Sequence, residues 1–301
     1  MERLPDLPPP PAVETCYRHS NVQTAVHCTR CGRPICPDCM IPGPVGHHCP
    51  TCVAEARAEY RRGPGRRGLR ASATGLPATR GLIAILLAVF ALELVRGGAG
   101  SLLEGPSPDV LARMGGSVGI FIAQGQYWRL FTPMFLHAGL IHLAFNAYAL
   151  WIFGSMLEPE IGSWRFLVVY LVTGIAASAA SYAFLDPQTV GIGASGAIFG
   201  IFGVFLVYNY RRRNTALGAA RLRTGLVLLA INAVLGFSIA GIDWRAHIGG
   251  LVAGVVAGFA VDVRGTASAR QSAFVAGMVL ILVVTVGLVV WRTGRLHALG
   301  V

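Results

Sequence analysis

Ser195 and His247 sit in two separate glycine-lined hydrophobic segments, Gly193-Ala194-Ser195-Gly196-Ala197 and Ala246-His247-Ile248-Gly249-Gly250. Ionisable or nucleophilic groups at membrane depth are costly and tend to be retained for function. A serine becomes a nucleophile only beside a base that takes its proton. A Ser/His pair held between two closely packed helices would therefore make a hydrolytic site inside a bilayer. No carboxylate is required where the helix packing itself orients the imidazole.

A second pair points the same way. His142 and Asn146 are four residues apart and share one helix face. Both side chains can donate a hydrogen bond, which suits an oxyanion formed by attack on a carbonyl. Ser195 falls early in its helix, so its own backbone N–H joins the unpaired donors of the first turn. Gly196, Gly200 and Gly203 on one segment, and Gly250, Gly254 and Gly258 on the other, repeat at small-residue steps that let helix backbones approach. Upstream lie Trp128-Arg129, Thr132, Phe135 and His137, the last read as an interfacial structural residue. Taken singly, a serine in a glycine-rich helix is a packing residue and a lone histidine bridges a carbonyl; the combination carries the reading. Asp243, four before His247, falls in a short turn and is read as outside any triad. Glu158 and Glu160 cluster at a helix end and read as solvated. Ala197 breaks the Gly-x-Ser-x-Gly elbow of α/β-hydrolases. The chain has no His-Glu-x-x-His, which excludes that metalloprotease chemistry.

The elements that must position these groups are hydrophobic helices. Of 301 residues, 54% are hydrophobic and 13% charged, far from a soluble average. Spans are expected at roughly 79–96, 136–156, 164–185, 194–210, 222–240, 245–263 and 272–291, each near the length that crosses a bilayer. The expected fold is an all-α polytopic membrane protein. The first span is read as a membrane helix rather than a secretory signal, because a long polar region precedes it. The net charge of +11 comes from arginine, since the chain contains no lysine. Arg61, Arg62, Arg66, Arg67, Arg70 and Arg80 precede the first span. Arg211, Arg212, Arg213, Arg221 and Arg223 fill the loop after the fourth, and Arg264 and Arg270 the loop after the sixth. All three groups fall on one side, so the N-terminus is expected in the cytoplasm. Juxtamembrane arginines fit contact with anionic lipids. Nucleic acid is not an expected partner, because stacking aromatics do not accompany the basic stretch beyond Tyr60.

These residues, in this order and across these helices, resemble the rhomboid family of intramembrane serine proteases. The resemblance covers roughly 80–263, and the last span resembles the extra C-terminal helix of many members. It implies a six-helix rhomboid core over 79–263, with a cytoplasmic loop, seventh helix and short tail over 264–301. It implies a Ser195–His247 dyad, with the oxyanion bound by His142, Asn146 and the backbone N–H of Ser195. Trp128 and Arg129 would belong to the first extracytoplasmic loop. Members often carry a tyrosine four residues after the serine, stacked on the histidine; here it is Phe199. Transmembrane or membrane-anchored proteins would be the substrates, in the plasma membrane, with the active site facing the extracytoplasmic side. The alternative is a proteolytically inactive relative that binds transmembrane helices as adaptor or chaperone. That role needs none of Ser195, His247, His142 and Asn146.

All seven cysteines fall between positions 16 and 52. They form Cys16-x2-His19, Cys28-x2-Cys31, Cys36-x2-Cys39 and Cys49-x2-Cys52, eight soft ligands for two tetrahedral zinc sites. Pairs two residues apart, and an odd cysteine count that His19 completes to eight, argue against disulfides. The spacing resembles the B-box type of zinc-binding domain, which interleaves its pairs. That resemblance implies Cys16, His19, Cys36 and Cys39 on one ion and Cys28, Cys31, Cys49 and Cys52 on the other. B-boxes commonly end in histidines, so His47 or His48 could replace a cysteine. The expected organisation is a flexible N-terminus (1–14), a B-box-like domain (15–56) and a basic flexible linker (57–78). So small a domain would take its folding energy from the structural metal. With its ligands used up, it reads as a docking module for a cytoplasmic protein partner, and catalysis would need no cofactor.

Overall fold

The structure, a computed structural model, describes residues 13–43, 45–62, 75–98, 100–239 and 241–300. The chain divides into two compact units, one up to Arg70 and one from Ala71 onward. The expected flexible N-terminus falls almost wholly outside the described residues, as do residues 63–74 of the expected linker.

The N-terminal unit holds two short antiparallel ladders, β1 (Glu14–Thr15) with β2 (Gln23–Thr24) and β3 (Ile41–Pro42) with β4 (His47–His48). Helix α1 (Pro50–Arg62) follows, opening on a proline that needs no N–H partner in a first turn. It runs into the segment expected to be linker. The buried core of this unit is Ile35 and the cysteines Cys16, Cys28, Cys36, Cys39, Cys49 and Cys52. A core made almost entirely of thiols buries too little carbon to hold a fold by apolar contact alone.

The second unit carries seven hydrophobic helices among the described residues: α2 (Pro77–Gly97), α3 (Leu140–Ile161), α4 (Ser163–Phe184), α5 (Ser195–Tyr210), α6 (Ala216–Ser238), α7 (Trp244–Val261) and α8 (Ala267–Ala298). Six are long and apolar enough to cross a membrane; α5, with 16 residues, is shorter. At 1.5 Å per residue α5 measures about 24 Å, less than the roughly 30 Å of hydrocarbon in a bilayer. Arg211, Arg212 and Arg213 directly follow its last turn.

Helix starts differ from expectation where capping outweighs hydropathy. The Thr215 hydroxyl accepts from Gly218 N and that of Thr266 from Ala269 N. A side-chain cap satisfies an orphan donor of the first turn, so α6 and α8 begin several residues early. Arg221, Arg223 and Arg270 therefore lie in helices rather than loops.

Glu158 also departs from expectation. It is not solvated: it is 2% exposed and accepts from Ala78 N (3.0 Å), Thr79 N (2.8 Å) and Thr79 Oγ1 (2.6 Å). The residue before α2, Leu76, has no side chain able to cap. The Glu158 carboxylate near the end of α3 supplies that cap from another helix, where the helix dipole also favours an anion. Glu160 remains exposed and accepts from Tyr208 OH at 2.6 Å.

α5 is the centre of the bundle. Most of its residues are buried, around all its faces, as expected of a helix hydrophobic all round. Phe202 and Phe205 pack on Phe153 of α3 at ring separations of 4.8 and 5.4 Å. Against α7 the contact is backbone to backbone. A Cβ on Gly250 would collide with the Gly196 carbonyl oxygen, and one on Gly254 with that of Gly200. A Cβ on Gly203 would lie 2.6 Å from Leu251 O. Helix α4 closes the third side, with Ala177 against Gly196, Thr173 against Gly200 and Ala180 against Gly249. At the far end of the bundle Arg212 grips Asp262 at 2.8 and 3.0 Å, joining the chain just after α5 to the chain just after α7.

Between α2 and α3 the chain forms short helices and turns. Within it β5 (Ser117–Val118) pairs antiparallel with β6 (Val190–Gly191), the segment that leads to α5. Gly254→Val is expected to force α5 and α7 apart, at a cost of about 1–3 kcal/mol or more from overpacking. Thermal unfolding in detergent micelles measures it, and a variant as stable as wild type would mean that the seam accepts a side chain.

Candidate functional site

Ser195 is the first residue of α5, and His247 lies in the first turns of α7. Because the glycine seam brings these helix starts together, Ser195 Oγ lies 2.9 Å from His247 Nε2. Phe199, one turn after the serine, stacks flat on the imidazole, with centroids 4.3 Å apart and planes 11° from parallel. The ring is thus held on its face by an aromatic and at its edge by the hydroxyl. An imidazole so fixed can accept the serine proton as the oxygen attacks a carbonyl.

The start of α7 is itself anchored. Asp243 caps it, Oδ1 accepting from Arg245 N (3.1 Å) and Ala246 N (3.3 Å). Its other oxygen accepts from the Ser181 hydroxyl of α4. Asp243 thus fixes the helix that carries His247 rather than the ring itself. Ser181 had no signal in the sequence, because its role depends on a partner 62 residues away.

His142 and Asn146 lie in the first two turns of α3. His142 Nδ1 accepts from Ala138 N at 3.1 Å, which assigns the proton of a neutral ring to Nε2. That nitrogen faces the approach to Ser195: a Cβ on Gly193 would lie 3.1 Å from His142 Nε2 and 3.7 Å from Ser195 Oγ. Gly193 has φ +115°, a conformation disfavoured for other residues, and its N–H donates to Pro133 O at 2.9 Å. The glycine is the only residue type that lets the main chain pass between imidazole and hydroxyl without filling the gap. Asn146 is buried and donates one amide hydrogen to His142 O at 2.9 Å; the amide carries a second. His142 Nε2 therefore faces the hydroxyl across Gly193, where the first-turn N–H of Ser195 also lies, and Asn146 sits one turn further along α3; such donors suit a developing oxyanion.

The upstream residues build the loop beside this site. Arg129 is buried, donates to Ala112 O (2.6 Å), Gly116 O (2.8 Å) and Gln126 Oε1 (2.7 Å), and lies over the Phe121 and Trp128 rings. Thr132 Oγ1 donates to Gly115 O at 2.6 Å. His137 is fully buried in the protein, its ring edge-on to that of His142 at 5.2 Å.

In the N-terminal unit the candidate ligands gather in two sets, Cys16, His19, Cys36 and Cys39, and Cys28, Cys31, Cys49 and Cys52, each with its donor atoms within 4.8 Å of one another. His19 Nδ1 lies 3.1, 3.5 and 3.9 Å from the sulfurs of Cys36, Cys39 and Cys16. Cys31 and Cys49 sulfurs are 3.7 Å apart. A tetrahedron of thiolates about 2.3 Å from a central ion has edges of about 3.8 Å, so both sets fit zinc. Burial raises the Cys28 thiol pKa, but backbone donors led by Cys49 N outweigh it and lower it to about 5, whereas burial and the neighbouring Cys31 and Cys49 thiols push the Cys52 thiol up. His47 and His48 join neither set; His48 Nδ1 instead lies 3.2 Å from Thr29 Oγ1.

Residues 124–263 match the family described as the Rhomboid domain. "Rhomboid protease GluP" of Bacillus subtilis (strain 168) is 39% identical over 179 residues, 60% of this chain but 34% of that protein. "RHOMBOID-like protein 6, mitochondrial" of Arabidopsis thaliana is 38% identical over 159 residues, 52% of this chain and 50% of its own. The chain thus spans only a third to a half of those two relatives. It spans more of "Putative rhomboid protease YdcA" of the same Bacillus strain, which is 39% identical over 138 residues, 46% of this chain and 69% of that protein. That coverage and identity, with a matched domain running from ahead of α3 to just past α7, make this chain a multi-pass membrane protein of the rhomboid family.

Proposed function

We propose that this protein is an intramembrane serine endopeptidase that cuts transmembrane or membrane-anchored proteins, with Ser195 as nucleophile and His247 as its base. The observation that carries this reading is the 2.9 Å approach of Ser195 Oγ to His247 Nε2 between two helices, with the His142 imidazole facing the hydroxyl across Gly193. Relatives named as rhomboid proteases support the same class of activity.

In the first step Ser195 Oγ attacks the scissile carbonyl carbon and its proton passes to His247 Nε2. The carbonyl oxygen becomes an oxyanion, held by His142 Nε2–H, an Asn146 amide hydrogen and the Ser195 N–H. Collapse breaks the C–N bond, and the departing amine takes the proton from His247. Water then attacks the acyl ester with His247 again as base, releasing a carboxylate and restoring the serine. A helical substrate shields its peptide bonds by its own hydrogen bonds, so segments that unwind easily are favoured. The glycine- and alanine-lined approach favours a small side chain at the cleaved position.

The arginines after α5 and α7 lie at the helix ends remote from Ser195. By the positive-inside rule those ends, and the N-terminus, are cytoplasmic in the plasma membrane, and the site opens toward the extracytoplasmic side. The N-terminal unit holds two structural zinc ions through Cys16, His19, Cys36 and Cys39 and through Cys28, Cys31, Cys49 and Cys52, and serves as a docking module for a cytoplasmic partner.

Purified protein incubated with single-span substrates should cleave them, whereas Ser195→Ala and His247→Ala each abolish cleavage and leave the bundle folded. The double variant should be little worse than either, because the two groups act as one unit. Undiminished cleavage by Ser195→Ala would end the protease reading and favour a helix-binding adaptor. His142→Ala and Asn146→Ala should each lower kcat about a hundredfold, the loss of one oxyanion donor; a change confined to KM would contradict that role. Metal analysis of the purified protein should return about two zinc per chain. A chain starting near residue 70 should still cleave, and loss of intrinsic activity with an intact bundle would make the head part of the enzyme.

A further inference from the structure

Glu93 is a carboxylic acid in the apolar helix α2, between the hydrophobic residues Phe90 and Leu94, and it is fully buried. Acids in membrane helices are costly enough that each calls for a named partner. Among the described residues no cation pairs with it. Oε1 accepts from the backbone N–H of His137 at 3.0 Å, while Oε2 has no hydrogen-bond partner among the described residues. His137 is itself fully buried, and neither of its ring nitrogens has such a partner either.

The main chain at this point is held from two sides. Glu93 takes the N–H of His137, and His142 Nδ1 takes the N–H of the next residue, Ala138. The second of these bonds fixes the His142 tautomer, and the His137 ring abuts the His142 ring edge-on at 5.2 Å. Glu93 therefore grips the same short stretch of backbone that orients His142. We propose that Glu93 is a positioning residue for the reaction, acting through the main chain and ring of His137 to hold His142 in its donor geometry. This rests on the protease reading above, with His142 as an oxyanion donor. A bolt that merely stabilised the bundle could join α2 to any part of the loop; this one meets the chain one residue from the bond that sets the donor.

The test compares wild type, Glu93→Gln, Glu93→Leu and His142→Ala, alone and with Glu93→Leu, on one single-span substrate in detergent. For each, kcat, KM, thermal unfolding and the rate of fluorophosphonate labelling at Ser195 are read separately. Glu93→Leu should lower kcat and labelling at least about tenfold with KM little changed, since small misplacements of a reacting geometry have large rate effects. Glu93→Gln retains a carbonyl acceptor for His137 N–H and should restore most of the rate. In the His142→Ala background Glu93→Leu should add little, because it acts through the missing ring. Should Glu93→Leu not fold, Glu93→Asp, which withdraws the acceptor by one methylene, carries the same comparison. Unchanged kcat per folded molecule in the acceptor-deficient variant, or a full additive loss on His142→Ala, overturns the proposal. A wild type that cleaves nothing, or a Ser195→Ala variant that cleaves, overturns the protease reading instead.

Discussion

The bundle depends on one contact, the backbone-to-backbone seam between α5 and α7. Gly196 and Gly200 meet Gly250 and Gly254 with no space for a single Cβ. Because Ser195 and His247 leave their helices at the same end of this seam, the interaxial distance sets the separation of hydroxyl and imidazole. In lipid, where apolar surface gains nothing by avoiding its surroundings, such contact rests on close packing and on few side chains to immobilise. The neighbours respect the same spacing: α4 offers alanine and threonine to the glycines of α5 and α7.

A second theme is how helix ends find partners where water is scarce. α2 is capped by Glu158 of α3, and α7 by Asp243, which the Ser181 hydroxyl of α4 secures in turn. Each cap is also a tie between helices, so local hydrogen-bond satisfaction and tertiary arrangement are one event. The loop before α3 is treated likewise, its carbonyls gathered by the Arg129 guanidinium.

What could be read from the sequence follows from the range of the signal. Hydrophobic runs revealed the helices, because membrane solvation acts on each segment separately. Glycines at four-residue steps revealed a close seam, because that period alone keeps one face bare. The two-residue cysteine spacings revealed ligand pairs, because chelation geometry is local. Glu158 was misread as solvated because its three donors lie some eighty residues away in the chain. Glu93 is a similar case: its partner His137 lies 44 residues on, and from the sequence alone only its place as an acid inside an apolar run points to it. The early starts of α6 and α8 came from Thr215 and Thr266, whose capping hydroxyls hydropathy does not weigh.

The order of ligands in the N-terminal unit has a consequence of its own. The sets alternate along the chain, so the loop that one set closes from Cys16 to Cys39 encloses Cys28 and Cys31 of the other. The loop closed from Cys28 to Cys52 likewise encloses Cys36 and Cys39. With metal in both sets, losing either ion would free a loop that carries half of the other set's ligands, and the buried core of the described residues is almost all thiol, with little apolar surface to hold that loop in place. Disassembly of a doubly metallated unit would then be cooperative. An oxidant or chelator acting on one thiol cluster would then loosen the other, so the unit would answer its chemical surroundings as a single threshold rather than in two graded steps.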